Sequence, residues 1–167
     1  MNKAAIFDFT VEKESSAITV KRSFNAPLDP VWAAWTEADI LCKWWAPKPY
    51  ECVIKSLDFR EGGRWFYCMQ GPTGERHFGY FDYEEVRPKK YFAAISNFSD
   101  EHGNANPAIK GRHWKISFDP HAGGTLVTVR ILVDSVETLE KIMQMGWKEG
   151  FTMGLDQLDE LLAADNI

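Results

Sequence analysis

The chain has 167 residues, with 24 acidic side chains against 19 basic ones, so its formal net charge is −5. A chain of this length is typical of one domain, which buries about 70% of the surface that the unfolded chain exposes. The acidic balance disfavours a nucleic-acid-binding protein, which needs a basic surface, and also disfavours binding to an anionic membrane.

No apolar run reaches the roughly 18 residues of a membrane-spanning helix, and Asp8 interrupts the short apolar stretch that a signal peptide would need. The three cysteines, Cys42, Cys52 and Cys68, are odd in number and have no paired spacing, which is typical of a reducing compartment. We therefore expect a cytoplasmic protein.

The N-terminal residues alternate between apolar and polar side chains. Phe7, Phe9 and Val11 point one way, as in a half-buried strand, and the alternation resumes from Ile18 to Phe24 after a break. This pattern predicts either two strands joined by a turn or one strand with a frayed leader. We divide the chain into a leader at 1–16, which could add an extra strand, and a single domain at 17–167.

Two short helices are predicted after the first strand of the domain. Asp29 is a candidate N-cap, followed by Pro30 at the first helical position. The second helix begins near Asp39 and carries Trp44 and Trp45, and the prolines after them end it.

From residue 50 onward the period of the apolar side chains changes to two, and turn residues recur regularly. Consecutive hairpins of this kind predict an antiparallel meander and a fold of the α+β class. The polar loop at 99–111 is too long for a tight turn, and loops of that length are often either lids or simply mobile. The predicted strands span residues 50–59, 64–70, 76–86, 90–98, 112–119 and 125–133.

Charged side chains indicate which face of each strand points outward. At the start of the fifth of these strands we assign Arg112 outward with His113 and Lys115, although Arg112 breaks the alternation. The inward set is aromatic and mildly polar, because Trp65, Tyr67, His77, Tyr83 and Trp114 belong to it. Such side chains need hydrogen-bond partners when buried, so they suit a ligand cavity better than a solid core.

The last predicted element is one long amphipathic helix from Asp134 to about Ala163, with Asp134 and Glu137 resembling a capping box. Its apolar side carries Gly146, Gly150 and Gly154, and each glycine costs a helix about 1 kcal/mol relative to alanine. Two explanations compete. Close packing against the sheet is the commoner reason for such glycines, and space for a ligand is the alternative.

A cavity between the aromatic face of the sheet and this helix would be lined from both sides. His77 is either a hydrogen-bonded core histidine or a polar anchor for a ligand. Trp44 and Trp45 either pack the short helix against the core, which is the commoner case, or place one of the two rings at the cavity mouth. The predicted lining residues are Trp45, Trp65, Tyr67, Met69, His77, Phe81, Tyr83, Trp114, Ile116, Phe118, Met143, Trp147, Gly150, Phe151 and Gly154.

Five motifs, in this order, make the chain similar to a known family: Ala26–Thr36, Trp44–Pro47, Asp58–Trp65, Gly74–Glu75 and Met145–Gly150. They resemble the AHSA1-like family (activator of Hsp90 ATPase homologue) of the START/Bet v 1-like (SRPBCC) superfamily, over residues 17–163. The resemblance implies a helix-grip fold, in which a curved antiparallel sheet of six to seven strands wraps around a long C-terminal helix. It also implies a deep apolar cavity between them.

The resemblance implies several functions. Members of the superfamily bind lipid-like or polycyclic molecules, the family name suggests an Hsp90-type co-chaperone, and some branches are cyclases or other enzymes. In the eukaryotic activator a separate N-terminal domain makes much of the Hsp90 contact, and we expect no such domain here. We therefore favour a module that binds a small hydrophobic molecule, with a chaperone partner as the alternative and an enzyme third.

Signatures of catalysis and of cofactors are missing from the sequence. The four histidines have no metal-ligand spacing, and there is no Gly-x-Ser-x-Gly or phosphate-binding glycine motif. We expect no metal, no cofactor, no nucleic-acid or membrane partner, and a monomer or weak dimer.

Overall fold

The computed structural model describes residues 5–164, so residues 1–4 of the predicted leader and 165–167 of the predicted domain lie outside it. The described residues contain eight strands and four helices. In chain order these are β1 (Phe7–Glu12), β2 (Ala17–Phe24), α1 (Leu28–Thr36), α2 (Ala38–Leu41), β3 (Glu51–Leu57), β4 (Arg64–Gln70), β5 (Arg76–Arg87), β6 (Tyr91–Ser99), β7 (Arg112–His121), β8 (Gly124–Leu132), α3 (Val136–Gln144) and α4 (Trp147–Ala163).

All eight strands form one antiparallel sheet in the order β1-β2-β8-β7-β6-β5-β4-β3. The predicted meander from residue 50 is therefore confirmed, and the fold is the predicted α+β helix-grip arrangement. The strand count is eight instead of six to seven, because Phe7–Glu12 pairs with β2 as an antiparallel hairpin. The two short helices consequently follow the second strand.

The first helix begins two residues earlier than the sequence indicated. Pro27 occupies the N-cap position of α1 without a side-chain hydrogen bond, so Asp29 lies in the first turn instead of capping it. There its carboxylate still suits the positive end of the helix. The helix α2 ends at Leu41, and Trp44 and Trp45 lie in the turns that follow it.

The predicted long C-terminal helix is present as α4, but its predicted extension back to Asp134 is wrong, because a separate helix, α3, precedes it. Ser135, and not Asp134, caps α3, and its hydroxyl accepts a hydrogen bond from the Thr138 N–H at 3.2 Å. Gly146 separates α3 from α4 and has φ +82° and ψ 22°. This left-handed conformation costs glycine little and other residues much more, so Gly146 marks a helix end instead of a helix interior.

The other two glycines of α4 have different surroundings. A Cβ at Gly154 would lie only 3.3 Å from the carbonyl oxygen of Trp44 and 3.4 Å from that of Trp45. At Gly150 a Cβ would meet a single atom, Pro47 Cγ, at 3.7 Å. Gly154 therefore serves close packing, whereas Gly150 borders open space, so close packing does not account for both glycines.

The long loop between β6 and β7 contacts the outer face of the sheet. Glu101 forms an ion pair with Arg76 at 3.3 Å, and a Cβ at Gly103 would lie 3.7 Å from an Arg64 nitrogen. Both arginines alternate with the inward-facing Trp65 and His77, so their side chains project from the opposite face. These contacts hold the loop against the outside of the sheet, away from α4.

Candidate ligand-binding cavity

A cavity of about 190 Å³ lies between α4 and the inner face of the sheet and is partly open to solvent. Strands β4, β5, β6 and β7 form one wall, and the start of α4 and the segment after α2 form the other. Most of the lining is aromatic. The lining residues are Trp45, Pro47, Tyr67, Met69, Phe81, Phe98, Arg112, Trp114, Trp147, Gly150 and Phe151.

The structure places eight of the fifteen residues named from the sequence around this cavity: Trp45, Tyr67, Met69, Phe81, Trp114, Trp147, Gly150 and Phe151. They come from five elements of the chain: the segment after α2, β4, β5, β7 and α4. The sequence did not indicate Pro47, Phe98 or Arg112 as lining residues.

The remaining seven predicted residues lie elsewhere. Trp65, Tyr83 and Ile116 surround an almost filled space of about 10 Å³, so they belong to the packed core. Phe118 packs edge-on against Trp32 of α1, with ring centroids 5.0 Å apart. Gly154 is in contact with backbone, as described above.

The last two of the seven, Met143 and His77, also lie outside the cavity, so their assignment to its lining is wrong. Met143 belongs to α3 and packs, partly buried, against the core. His77 is opposite Met69 in the β4–β5 ladder and so shares its face, but it is exposed and its ring lies 5.8 Å from Tyr50. Alternation along a strand predicts the face of a side chain, but it does not predict whether a helix covers that position.

The segment that carries Trp45 and Pro47 is fastened to α4 by one side chain. The Gln157 amide nitrogen donates hydrogen bonds to the carbonyl oxygens of Trp44 and Ala46, both at 2.9 Å. Its amide oxygen accepts a bond from the Lys48 N–H, also at 2.9 Å. Three bonds from one glutamine fix the position of this wall relative to the helix.

Aromatic contacts make the remaining walls rigid. Trp147 and Phe151, one turn apart on α4, stack with centroids 4.8 Å apart and 15° between their planes. Trp114 meets Phe81 edge-on at 4.9 Å, and its indole N–H donates to the Ser96 hydroxyl at 2.7 Å. These interlocked rings restrict side-chain motion, so the cavity is formed before any ligand arrives.

The polar groups of the cavity differ in how well they are satisfied. The Tyr67 phenol lies above Gly79 of the neighbouring strand, where an added Cβ would be 2.9 Å from its oxygen. The Trp45 indole nitrogen is buried without a hydrogen bond of ordinary geometry, although it is close enough to the Tyr67 hydroxyl to influence its pKa. A ligand acceptor would compete with the Tyr67 hydroxyl for this N–H.

Arg112 faces inward, so its outward assignment from the sequence is wrong. It is the first residue of β7, and alternation places it on the same face as Trp114, where only 5% of its surface is exposed. Its guanidinium carbon lies 4.1 Å from the centroid of the Phe98 ring. The alternation alone could have revealed this position, but the charge of the side chain outweighed it in the prediction.

Burial and charge set the protonation states in the cavity. Burial lowers the pKa of Arg112 to about 10, so the guanidinium remains protonated at neutral pH. Burial raises the pKa of Tyr67 to about 12, against the opposing effect of the Arg112 charge, so the phenol is neutral. Among the described residues no carboxylate lines the cavity, so this lining carries one positive charge and no negative charge at pH 7.

Of the residues that the structure describes, no histidine, cysteine or carboxylate lines the cavity as an acid, base or nucleophile. Burial raises the pKa of the Cys52 thiol to about 12, which keeps it neutral and unreactive. Across residues 5–164, no three His, Cys, Asp or Glu side chains gather as a metal site. Within the same range, no helix is both long and apolar enough to cross a membrane.

A curved antiparallel sheet closed by a C-terminal helix over an apolar cavity defines the helix-grip class of domains. Residues 25–163 match the family described as "Activator of Hsp90 ATPase homolog 1-like protein". The chain belongs to this family. Among curated proteins, none matches the chain.

Solved structures with the same fold come from several bacteria. A crystal structure of a Mycobacterium smegmatis protein is 30% identical over 93% of this chain and 95% of the other, with a TM-score of 0.87. An Arthrobacter aurescens protein solved by NMR is 25% identical over 94% and 91%, with a TM-score of 0.89. A Nitrosomonas europaea crystal structure is 28% identical over 91% and 97%, with a TM-score of 0.75.

Proposed function

We propose that this protein binds a small, mostly apolar molecule in the cavity between the sheet and α4. The observation that carries the proposal is an open, aromatic-lined volume of about 190 Å³ beside Gly150, a helical glycine that no packing contact requires. Alanine at this position would strengthen the helix and would contact only Pro47. A side chain larger than alanine would extend into the cavity, and glycine leaves this volume open.

The volume limits the size of the ligand. An engineered protein cavity of about 150 Å³ holds one benzene molecule, so a cavity of about 190 Å³ suits one ring with a short substituent or a short chain. The lipid-like or polycyclic ligands expected from the sequence would have to protrude through the open side. We therefore propose a ligand with a single ring or a short aliphatic chain.

Apolar burial alone gives modest affinity. A one-ring ligand buries roughly 200 Å² of surface, as a buried phenylalanine does, which contributes about 5 kcal/mol at 25 cal/mol per Å². Part of this gain offsets the lost freedom of the ligand, so a neutral ring should bind with a dissociation constant of about 1 mM.

Toluene, a neutral one-ring probe, tests the proposal by NMR. The indole N–H signals of Trp45, Trp114 and Trp147 should shift on titration, and the shifts should vanish in Gly150→Leu, whose side chain fills the cavity. Gly150→Ala is the matched control and should still bind. The proposal fails if toluene shifts none of these signals in the wild type, or shifts them equally in the folded leucine variant.

The family match supports a second candidate, an Hsp90-type co-chaperone. This role predicts that the purified protein stimulates the ATPase activity of a bacterial Hsp90-type chaperone. No stimulation at saturating protein would exclude it. The enzyme interpretation has less support, because His77 is exposed outside the cavity and cannot act there together with Tyr67.

A further inference from the structure

The cavity contains a charged group that a purely apolar ligand would leave unused. Arg112 is 95% buried, lines the cavity, and has an Nε atom without any hydrogen-bond partner. Within residues 5–164 no carboxylate forms an ion pair with it. We propose that the ligand is a singly charged organic acid whose carboxylate pairs with Arg112, an inference that rests on the proposed function.

The physical argument begins with the cost of a lone buried charge. Moving a guanidinium out of water is unfavourable, and folded proteins normally compensate for it with a carboxylate and further hydrogen bonds. Here the contact with the Phe98 ring is the interaction that the described residues supply, and a cation–π contact is weaker than a charged hydrogen bond. An anion from outside the chain would complete the site.

The form of the donor indicates the form of the acceptor. A guanidinium is planar and offers parallel N–H groups that match the two oxygens of a carboxylate. The Trp45 indole N–H, buried on the opposite wall beside the Tyr67 hydroxyl, is a further donor within the lining. The neutral Tyr67 phenol adds no negative charge that would repel the acid.

The charge balance favours a carboxylate over a phosphate monoester. The cavity has one positive charge, and its remaining lining is apolar or neutral. A carboxylate would give a neutral pair, whereas a phosphate monoester carries about −1.5 to −2 charges at pH 7 and would leave buried negative charge uncompensated. With one ring or short chain filling the apolar part, the ligand class is a small aromatic or aliphatic monocarboxylic acid.

The test compares phenylacetate with its neutral isostere phenylacetamide, by NMR or calorimetry, in the wild type and in Arg112→Met. The wild type should bind the acid at least about tenfold more tightly than the amide, since a charged hydrogen-bonded pair is stronger than a neutral one. The methionine variant should lose this preference and bind both probes alike. Arg112→Lys, which keeps the charge without the planar fork, should retain part of the preference.

The outcomes separate this inference from the proposed function. Equal affinity of the wild type for acid and amide, or a preference that persists in Arg112→Met, would overturn the carboxylate site and leave the apolar cavity intact. Binding of neither probe, and of no toluene, would overturn the proposed function as well. The melting temperature of Arg112→Met monitors folding, and it should equal or exceed that of the wild type because an unpaired buried charge is removed.

Discussion

Alanine substitutions at Gly150 and Gly154 should have opposite effects on stability, although both glycines lie on α4 one turn apart. Neither has a positive φ, so alanine is compatible with the backbone at both positions. The surroundings differ. A methyl group at 150 meets only Pro47 Cγ at 3.7 Å, whereas at 154 it meets two backbone carbonyl oxygens at 3.3 and 3.4 Å.

The magnitudes follow from helix propensity and steric cost. Alanine stabilises a helix interior by about 1 kcal/mol relative to glycine, and Gly150→Ala should keep most of that gain. At position 154 the same gain is opposed by overpacking, which typically costs 1–3 kcal/mol. The carbonyl of Trp44 cannot retreat freely, because Gln157 holds it at 2.9 Å. A net loss of about 1 kcal/mol is therefore expected for Gly154→Ala.

Thermal unfolding of the two variants against the wild type measures the difference. At about 2–4 °C per kcal/mol for a chain of this size, Gly150→Ala should melt a few degrees higher and Gly154→Ala a few degrees lower. Equal stabilisation by both substitutions would show that α4 does not pack closely against the Trp44–Trp45 backbone. Destabilisation at Gly150 would mean that no open volume borders this position.

Two further substitutions probe buried polar groups. The Tyr83 hydroxyl is buried without a hydrogen-bond partner, so Tyr83→Phe should raise the free energy of unfolding by about 1 kcal/mol at pH 7, measured by urea denaturation. Burial also raises the pKa of Tyr83 above 10. The free energy of unfolding is therefore independent of this ionisation below pH 10, and it falls at higher pH, where the unfolded tyrosine ionises before the folded one. The wild type should therefore lose stability faster than Tyr83→Phe above pH 10, by up to about 1.4 kcal/mol per pH unit, and parallel curves would contradict the assigned burial. Gln157→Glu removes the two hydrogen bonds donated to the carbonyls of Trp44 and Ala46, so it should lower the free energy of unfolding by about 2 kcal/mol and weaken toluene binding. Glu160→Gln, at an exposed position of the same helix, is the control and should change neither quantity.

The strands and their inner face were predictable because the apolar period of two is strong from residue 50 onward. The break in the C-terminal helix was not predictable, because the apolar pattern runs through Gly146 without a change of period. The backbone of Gly146 nevertheless takes the left-handed conformation. The hairpin β1–β2 was one of two alternatives that the sequence left open. Pairing between the strands decided it.

The cavity was predictable in kind but not in extent. Strand alternation placed Trp65, Ile116 and Tyr67 on one face, yet only Tyr67 borders the cavity, since depth depends on where α4 and the α2–β3 segment cover the sheet. Arg112 was missed because charge usually indicates solvent. Where charge and alternation disagree on a strand, the disagreement is itself a signal of a functional position.

Gly150 and Arg112 both lower the stability of the ligand-free fold, and both lie on the cavity wall. Neutral buried groups without partners also occur in the packed core, as at Tyr83, but Arg112 brings a charge into the apolar interior. Replacing either residue with an apolar one would improve the empty protein, whereas replacing Gly154 would damage it. A ligand that binds only the folded state returns this stability, by an amount that grows with the logarithm of its concentration over its dissociation constant. Once an acid of matching shape is bound, both Gly150 and Arg112 favour the folded, ligand-bound protein. Packing of the chain alone gives no reason for either residue.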